Sequence, residues 1–373
     1  MLDDTYGHSP LKNMFERRDV YGIAYSEERA ARKKVRLGLI GAGGVAQSKH
    51  LPAILRLRTI WEPVEVAAVA DPNAQQGKKV AELYGCQWYP GFEPMLKEER
   101  LDGIEVLSAA HLHYEHALAG LEHGLPVLVE KPLTRSLWQS EELCRYAEAK
   151  NVPLMTMANK RWSPPYRRAK AIVSESSFGK PALWSGKFNL GYDYVDLLEE
   201  GTIHLLDLAR FFMGDVVAVN AMEARSSKRG PSSVENVVLS LRFQSGAIGS
   251  LHTSKTALSL KPWERVEIYG IGRWLAVEDQ RALLFYSSEE GPTQSWSPVV
   301  PNTLLFDEEF GGYMGEIENF LQVIRGEEMP SVTGWDGHRA YELVVATHLS
   351  LQTGEMVKLP IDPSVEKESV LAS

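Results

Sequence analysis

Three groups of residues in this 373-residue chain have types and spacings that can do chemistry. The first is the loop Gly41-Ala42-Gly43-Gly44-Val45-Ala46, a G-x-G-x-x-A pattern. Gly41 permits a tight turn, and Gly43 lets backbone N–H groups approach a pyrophosphate. The small Ala46 lets the following helix pack close to the strand before it. Gly44 and Val45 then lead into that helix, whose N-terminus turns partial positive charge toward phosphates. Such a loop alone could be an ordinary strand–helix turn, but here a strand precedes it, a helix follows, and Asp71 closes the second strand. Asp71 lies further on than the usual ~20 residues, and the segment RLRTIWEP accounts for the excess. Its carboxylate can accept hydrogen bonds from ribose hydroxyls and repels a 2′-phosphate, which favours NAD. Lys78 and Lys79 weaken that preference and leave NADP open. A second reading of Asp71 is a helix N-cap ahead of Pro72, and both can hold.

The second group is Glu130-Lys131-Pro132. A lysine held in a cleft can have its pKa lowered and take part in proton transfer. Glu130 could orient it; the alternative is a surface lysine paired with a glutamate. The third group is Glu200 and His204, at i and i+4 and so on one helix face, with Asp207 three residues beyond to orient the imidazole. A histidine beside a carboxylate suits general acid–base work. The competing reading is a core histidine hydrogen-bonded to Glu200. His111, His113, His116 and His123 fit no zinc spacing and no cysteine joins them, so no metal site is expected.

These groups need elements to position them. Short apolar runs at 35–40, 64–70, 103–109, 126–129 and 152–158 alternate with helical patterns. Continuous apolar runs predict strands covered on both faces, and the long connections predict helical crossovers and parallel pairing. One crossover is the helix 136–150, with Ser136 as its N-cap. Ligands of such sheets bind beyond the carboxyl ends of the strands. Those ends carry the glycine loop, Asp71, Ser108 to His111, Glu130-Lys131-Pro132 and Asn159-Lys160-Arg161. After about residue 160 comes a helical segment, 196–214, and then successive strand-like runs. The pair VVLSLRF and AIGSLHT around QSG predicts a hairpin, with Gly246 supplying positive φ. YMGEIENFLQVIRG and DGHRAYELVVATHLSLQTG read as amphipathic helices ending in glycine. The expected fold is therefore α/β: a doubly wound domain at 35–158, then an α+β domain at 159–373 built on a mostly antiparallel sheet. Residues 1–34 are an extension, and the final helix could pack back on the first domain.

Composition narrows the partners. With 40 Lys+Arg against 49 Asp+Glu the net charge is −9, a poor match for nucleic acid. No apolar stretch of about 18 residues is free of charge, so no membrane span is expected. The polar N-terminus lacks the apolar stretch of a signal peptide. Cys86 and Cys144 stand alone, which fits free thiols in a reducing, cytoplasmic setting.

Taken together, the residues resemble the Gfo/Idh/MocA oxidoreductase family from about residue 35 to about 360. The matching segments are GLIGAGGVAQSKHLPAI, VAAVADPN, HLHYEHALAGLEHGLPVLVEKPL, NKRWSPPY, IHLLDLARFFMGD and GEIENFLQVIRGEEMPSVTGWDGHRAYELV. The resemblance implies that the doubly wound half is a Rossmann domain, joined to an α+β domain with a large, open, mostly antiparallel sheet. It also implies reversible NAD(P)-dependent oxidation of a hydroxyl on a sugar, cyclitol or related polyol. It assigns catalysis to Lys131, Glu200 and His204, and places Asn159, Arg161 and Trp162 near the cofactor or substrate. It also matches His113 to the family histidine after the third strand; Ser108 and Glu130 fall beside the cofactor. Two positions depart from the family pattern. Glu200 stands where Asp is common, and Ser108-Ala109-Ala110 where Thr-Pro-Asn is often found. Two other outcomes stay open at this level: an NAD-dependent glycosidase or lyase using transient oxidation, and a non-catalytic cofactor-binding protein. A homodimer or homotetramer joined through the C-terminal sheet is expected, because an open apolar face is unfavourable in water.

Overall fold

The computed structural model describes residues 31–59, 62–191, 195–224, 234–257, 263–287, 294–297 and 311–362. Almost all of the 1–34 extension lies outside the described residues. Six strands form a parallel sheet: β1 (Val35–Ile40), β2 (Val64–Ala70), β3 (Gln87–Tyr89), β4 (Gly103–Val106), β5 (Val127–Val129) and β6 (Leu154–Thr156). Their order is β3-β2-β1-β4-β5-β6, so the chain changes direction between β1 and β4 and opens a crevice at their carboxyl ends. Five of these strands lie in the apolar runs, and β3 does not. It is a three-residue edge strand with no residue fully buried, so it carries no apolar run to read. The connecting helices are α1 (Leu51–Thr59), α2 (Ala74–Tyr84), α3 (Phe92–Glu98), α4 (His113–Glu122) and α5 (Leu137–Lys150). Ser136 has the extended backbone of an N-cap, but its side chain does not cap α5.

Beyond β6 come α6 (Pro164–Ser174), β7 (Leu183–Asn189) and α7 (Ile203–Met213), the last entered through a π turn, Leu197–Thr202. The strands β8 (Val216–Ala224), β9 (Asn236–Phe243), β10 (Ile248–Ser254), β11 (Glu264–Gly270), β12 (Arg273–Glu278), β13 (Ala282–Tyr286) and β14 (Gln294–Trp296) follow. After them come α8 (Tyr313–Arg325), α9 (Gly334–Thr353) and the short β15 (Val357–Lys358). Among the described residues, β7 to β15 form one nine-stranded sheet in which β7 and β10 pair in parallel and the other pairs run antiparallel. The predicted hairpin is β9–β10, and Gly246 at its turn has φ +87°.

One face of the large sheet is packed by α6, α7 and α9 around Trp184, Tyr166 and Leu239. The other core groups flank the parallel sheet. On one side α1 meets Met314, Ile317, Phe320 and Leu321 of α8, so a late helix closes an early core. The buried Arg325–Glu62 ion pair, 2.6 Å, pins the end of that helix. On the other side α3, α4 and α5 bury Met95, Ala117, Leu121 and Leu143.

Candidate active site

Gly41 ends β1 with φ +106°, and a Cβ there would lie 2.7 Å from the Leu107 carbonyl carbon. The loop therefore presses directly on the backbone leaving β4, which only glycine allows. At Gly43 and Gly44 a Cβ would meet nothing within 4 Å. Bare backbone at the start of a helix, facing open space, fits a pyrophosphate. Gly44 and Val45 open that helix and Ala46 is fully buried against the strand. Gly41→Ala is expected to cost about 1–3 kcal/mol in stability, since both φ and the backbone contact resist a methyl group. The same variant should weaken NADH binding at least tenfold; thermal melts and fluorescence titration read the two effects.

Asp71 is tied into the loop by hydrogen bonds of its own. One carboxylate oxygen accepts the Ala42 N–H at 2.8 Å, which ties it to the glycine loop. The other accepts the Asn73 N–H at 2.8 Å. Asn73, not Asp71, caps α2, taking the Gln76 N–H. The N-cap reading of Asp71 is thus off by two residues, because Pro72 sets the turn before the helix begins. Lys78 sits 5.0 Å over the Trp88 ring.

At the end of β5, Glu130 is buried and its carboxylate accepts the Lys131 N–H at 2.9 Å. The Lys131 ammonium donates to the Glu200 carboxylate at 2.7 Å and to the Glu200 carbonyl at 3.0 Å. Glu200 therefore serves the lysine and is not hydrogen-bonded to His204, which corrects the expected Glu200–His204 couple. The cause is local: Glu200 lies in the π turn, where the wider i to i+5 winding changes which side chains share a face. Asp207 does not orient His204 either. It receives both Arg161 nitrogens, at 2.8 and 2.6 Å. His204 has no protein hydrogen-bond partner among the described residues. Burial, with the nearby Lys131 and Lys160 ammonium groups, pushes its pKa well below 6.5, so the imidazole is neutral.

His204 and Glu200 line a cavity of about 480 Å³ together with Asn159, Lys160, Trp263 and Arg281. Lys49, three residues beyond the glycine loop, lines it as well, so the cavity adjoins the dinucleotide crevice. Asn159 donates to the Gly311 carbonyl at 2.6 Å while its Oδ1 is buried without a partner. Arg161 is placed differently from the expectation. It is buried, its guanidinium is held by Asp207 and Asp336, and its pKa is raised by them against the cost of burial. It joins three elements and does not line the cavity. Trp162 is likewise turned away, packed against Gly315 of α8 and under Arg167. His113 lies between two carbonyls, with Nδ1 2.8 Å from Pro132 O and Nε2 2.9 Å from Ser108 O, and burial lowers its pKa. It holds the ends of β4 and β5 together. The Ser108 hydroxyl meets His116 Nδ1 at 2.8 Å.

Two residues had no role in the sequence reading. Lys160 pairs with the buried Glu264, which also accepts the Tyr166 hydroxyl, and it lies between the Phe188 and Trp263 rings. His50 sits between Glu105 and Glu130, at 2.8 and 3.1 Å. The signal for His50 was Glu105, a carboxylate inside an apolar strand, which demands a buried partner. Among the described residues no group of His, Cys, Asp and Glu is arranged to hold a metal.

A Rossmann sheet with a bare glycine loop and a lysine just after β5, met by a carboxylate and a histidine from the π turn and α7 of the second domain, defines a two-domain nicotinamide-dependent oxidoreductase. The family models agree. Residues 35–158 match the oxidoreductase family NAD-binding Rossmann fold and residues 197–359 its C-terminal alpha/beta domain, so the chain belongs to the Gfo/Idh/MocA family. It is similar to myo-inositol 2-dehydrogenase of Thermotoga maritima, 25% identical over 87% of this chain and 98% of the relative. It is also similar to 1,5-anhydro-D-fructose reductase of Ensifer adhaerens, 26% identical over 87% and 98%. The solved complex of levoglucosan dehydrogenase with NADH shares the fold, with a TM-score of 0.79 and 20% identity, over 88% of this chain and all of that one. Among the described residues no helix is long and apolar enough to cross a membrane.

Proposed function

We propose that this oxidoreductase interconverts a secondary hydroxyl and a ketone on a sugar, cyclitol or related polyol. The observation that carries the reading is a neutral His204 and Glu200 lining one polar cavity, with Lys131 ion-paired to that Glu200. NAD, when bound at the glycine loop, supplies the hydride acceptor. The residues of the chain do the rest. His204, neutral and free of protein partners among the described residues, takes the hydroxyl proton as the C–H hydride leaves. Lys131, ion-paired with Glu200 at 2.7 Å, stabilises negative charge growing on the substrate oxygen. Asn159 and Lys160 supply polar contacts on the cavity wall. The names of the relatives, an inositol dehydrogenase and an anhydro-sugar reductase, support a polyol of that size. The test is NADH formation across cyclitols, hexoses, anhydro-sugars and nucleotide-sugars. Turnover of one of these supports the reading; bound NAD with no turnover on any overturns it.

The outer face of the large sheet supports a homo-oligomer. Cross-strand pairing sets Ile248, Leu183, Tyr269, Trp274 and Tyr286 in one row, with the last three rings stacked. Met222 and Val238 pair with each other further along the same face, beyond the Ser240–Ser250 row, and are 69% and 42% exposed. An apolar row of this extent favours cover by a second copy, and a monomer in sedimentation velocity overturns this. Free Cys86 and Cys144 fit action in the cytoplasm.

A further inference from the structure

His50 is the last residue of the π turn Ala46–His50 that continues the glycine-loop helix, and its side chain is fully buried. Each ring nitrogen faces a different carboxylate, Glu105 inside β4 and Glu130 at the end of β5, and the Tyr313 ring stands edge-on at 5.5 Å. A neutral imidazole would present a lone pair to one carboxylate and leave two anions in an apolar interior. Burial alone would strip the proton, but hydrogen bonds and charge from the two glutamates hold the pKa up to about 9. In return the imidazolium, followed by Lys131, keeps Glu130 ionised in spite of full burial. The two oxygens of Glu130 then do separate work: Oε1 meets His50 and Oε2 accepts the Lys131 N–H. Glu105 Oε1 has no partner, so the described hydrogen bonding of that carboxylate runs through His50.

We propose that His50 is a positioning residue that fixes the Glu130-Lys131 turn and ties it to the helix launched by the dinucleotide loop. The inference rests on the reading of Lys131 as the group that acts on the substrate oxygen. The ionised Glu130 is the clamp, and His50 is what keeps it ionised and aimed. Without the imidazolium, Glu130 takes up a proton or turns toward water, and the backbone N–H of Lys131 loses its charged acceptor. A lysine displaced by about 1 Å loses on the order of 10²-fold in rate.

The experiment compares wild type with His50→Gln, Lys131→Met and the double variant, using whichever polyol the panel identifies. His50→Gln should lower kcat by about 10²-fold while the KM for substrate and the Kd for NADH change by less than about threefold. Added to Lys131→Met, the same change should cost less than about twofold more, because both act through one amine. A residue with a merely structural role would cost the same factor in both backgrounds, and that result overturns the proposal. A second readout needs no substrate: acetylation of Lys131 by acetic anhydride, followed by mass spectrometry. Loosening the turn should speed labelling of Lys131 at least about threefold relative to other lysines, and unchanged labelling in a folded variant overturns the inference. If no polyol is turned over, the proposed function fails and the labelling still decides about His50. If His50→Gln does not fold, Glu130→Gln breaks the same charged contact while leaving His50 paired with Glu105. Faster labelling in that variant supports the proposal, and the wild-type rate overturns it.

Discussion

Replacing Lys131 by methionine is expected to lower kcat by about 10²–10⁴-fold, the range for removing a positioned acid–base or charge-stabilising group. The methionine keeps the length and apolar stem of the lysine, so packing at the cleft changes little. The backbone N–H of residue 131 still reaches Glu130, and the freed Glu200 carboxylate, 36% exposed, is open to water. NADH affinity should therefore hold within about threefold, so the loss falls on kcat and marks an interaction made in the transition state. His204 remains in the variant, which makes the pH profile informative. Its pKa lies well below 6.5, so the base form persists as pH falls through 6.5, and the acid limb of the wild-type kcat should lie lower still. The residual activity of the methionine variant should keep an acid limb, moved to higher pH because the Lys131 charge no longer helps to depress the imidazole. Steady-state kinetics at saturating NAD from pH 5 to 9 measure both quantities, and a variant with wild-type kcat would remove Lys131 from the chemistry.

The largest effect on stability should come from Arg161→Met. The guanidinium is buried and binds Asp207 in the two-pronged geometry that arginine favours, with a third contact to Asp336 at 3.1 Å. Removing it leaves Asp207 and Asp336 without their shared cation, while Asp336 keeps Arg210 and the Thr333 N–H and hydroxyl. Breaking a buried pair from one side typically costs about 3–5 kcal/mol, a fall of roughly 10 °C in Tm for a domain of this size. Arg161→Lys should recover only part of that, because an ammonium cannot make the parallel pair of bonds. Differential scanning calorimetry checks both. A change below about 1 kcal/mol in Arg161→Met would show that the network is relieved by water. The outcome separates a residue that binds cofactor, as the sequence suggested, from one that fastens α7 and α9 to the segment after β6.

The parts of the site that could be read from sequence are those whose neighbours in space are neighbours in the chain. The glycine loop, Lys131 at a strand end and Gly246 in a tight turn each announce themselves within a few residues. The parts that could not be read depend on pairing at a distance. Arg161 and Asp207 are 46 residues apart, and His50 and Glu130 are 80 apart. No periodicity connects them. The Glu200–His204 reading failed for another reason. It took a uniform 3.6-residue winding for granted, and the π turn at Leu197–Thr202 hands Glu200 to Lys131 instead. β3 escaped notice because an edge strand of one exposed and two half-buried residues has no hydrophobic pattern.

The packing of α8 on α1 and the parallel sheet has a consequence for how the chain is made. The first sheet is complete in sequence by Thr156, yet the apolar side chains that close one of its flanks arrive only at Met314 to Leu321, and the ion-pair partner of Glu62 only at Arg325. On the ribosome, the early half emerges with that flank bare and must wait for more than 150 further residues before its own interior is sealed. A gene cut at the apparent boundary near residue 159 would express a fragment with an open seam, and the two halves are better regarded as one folding unit threaded through two sheets.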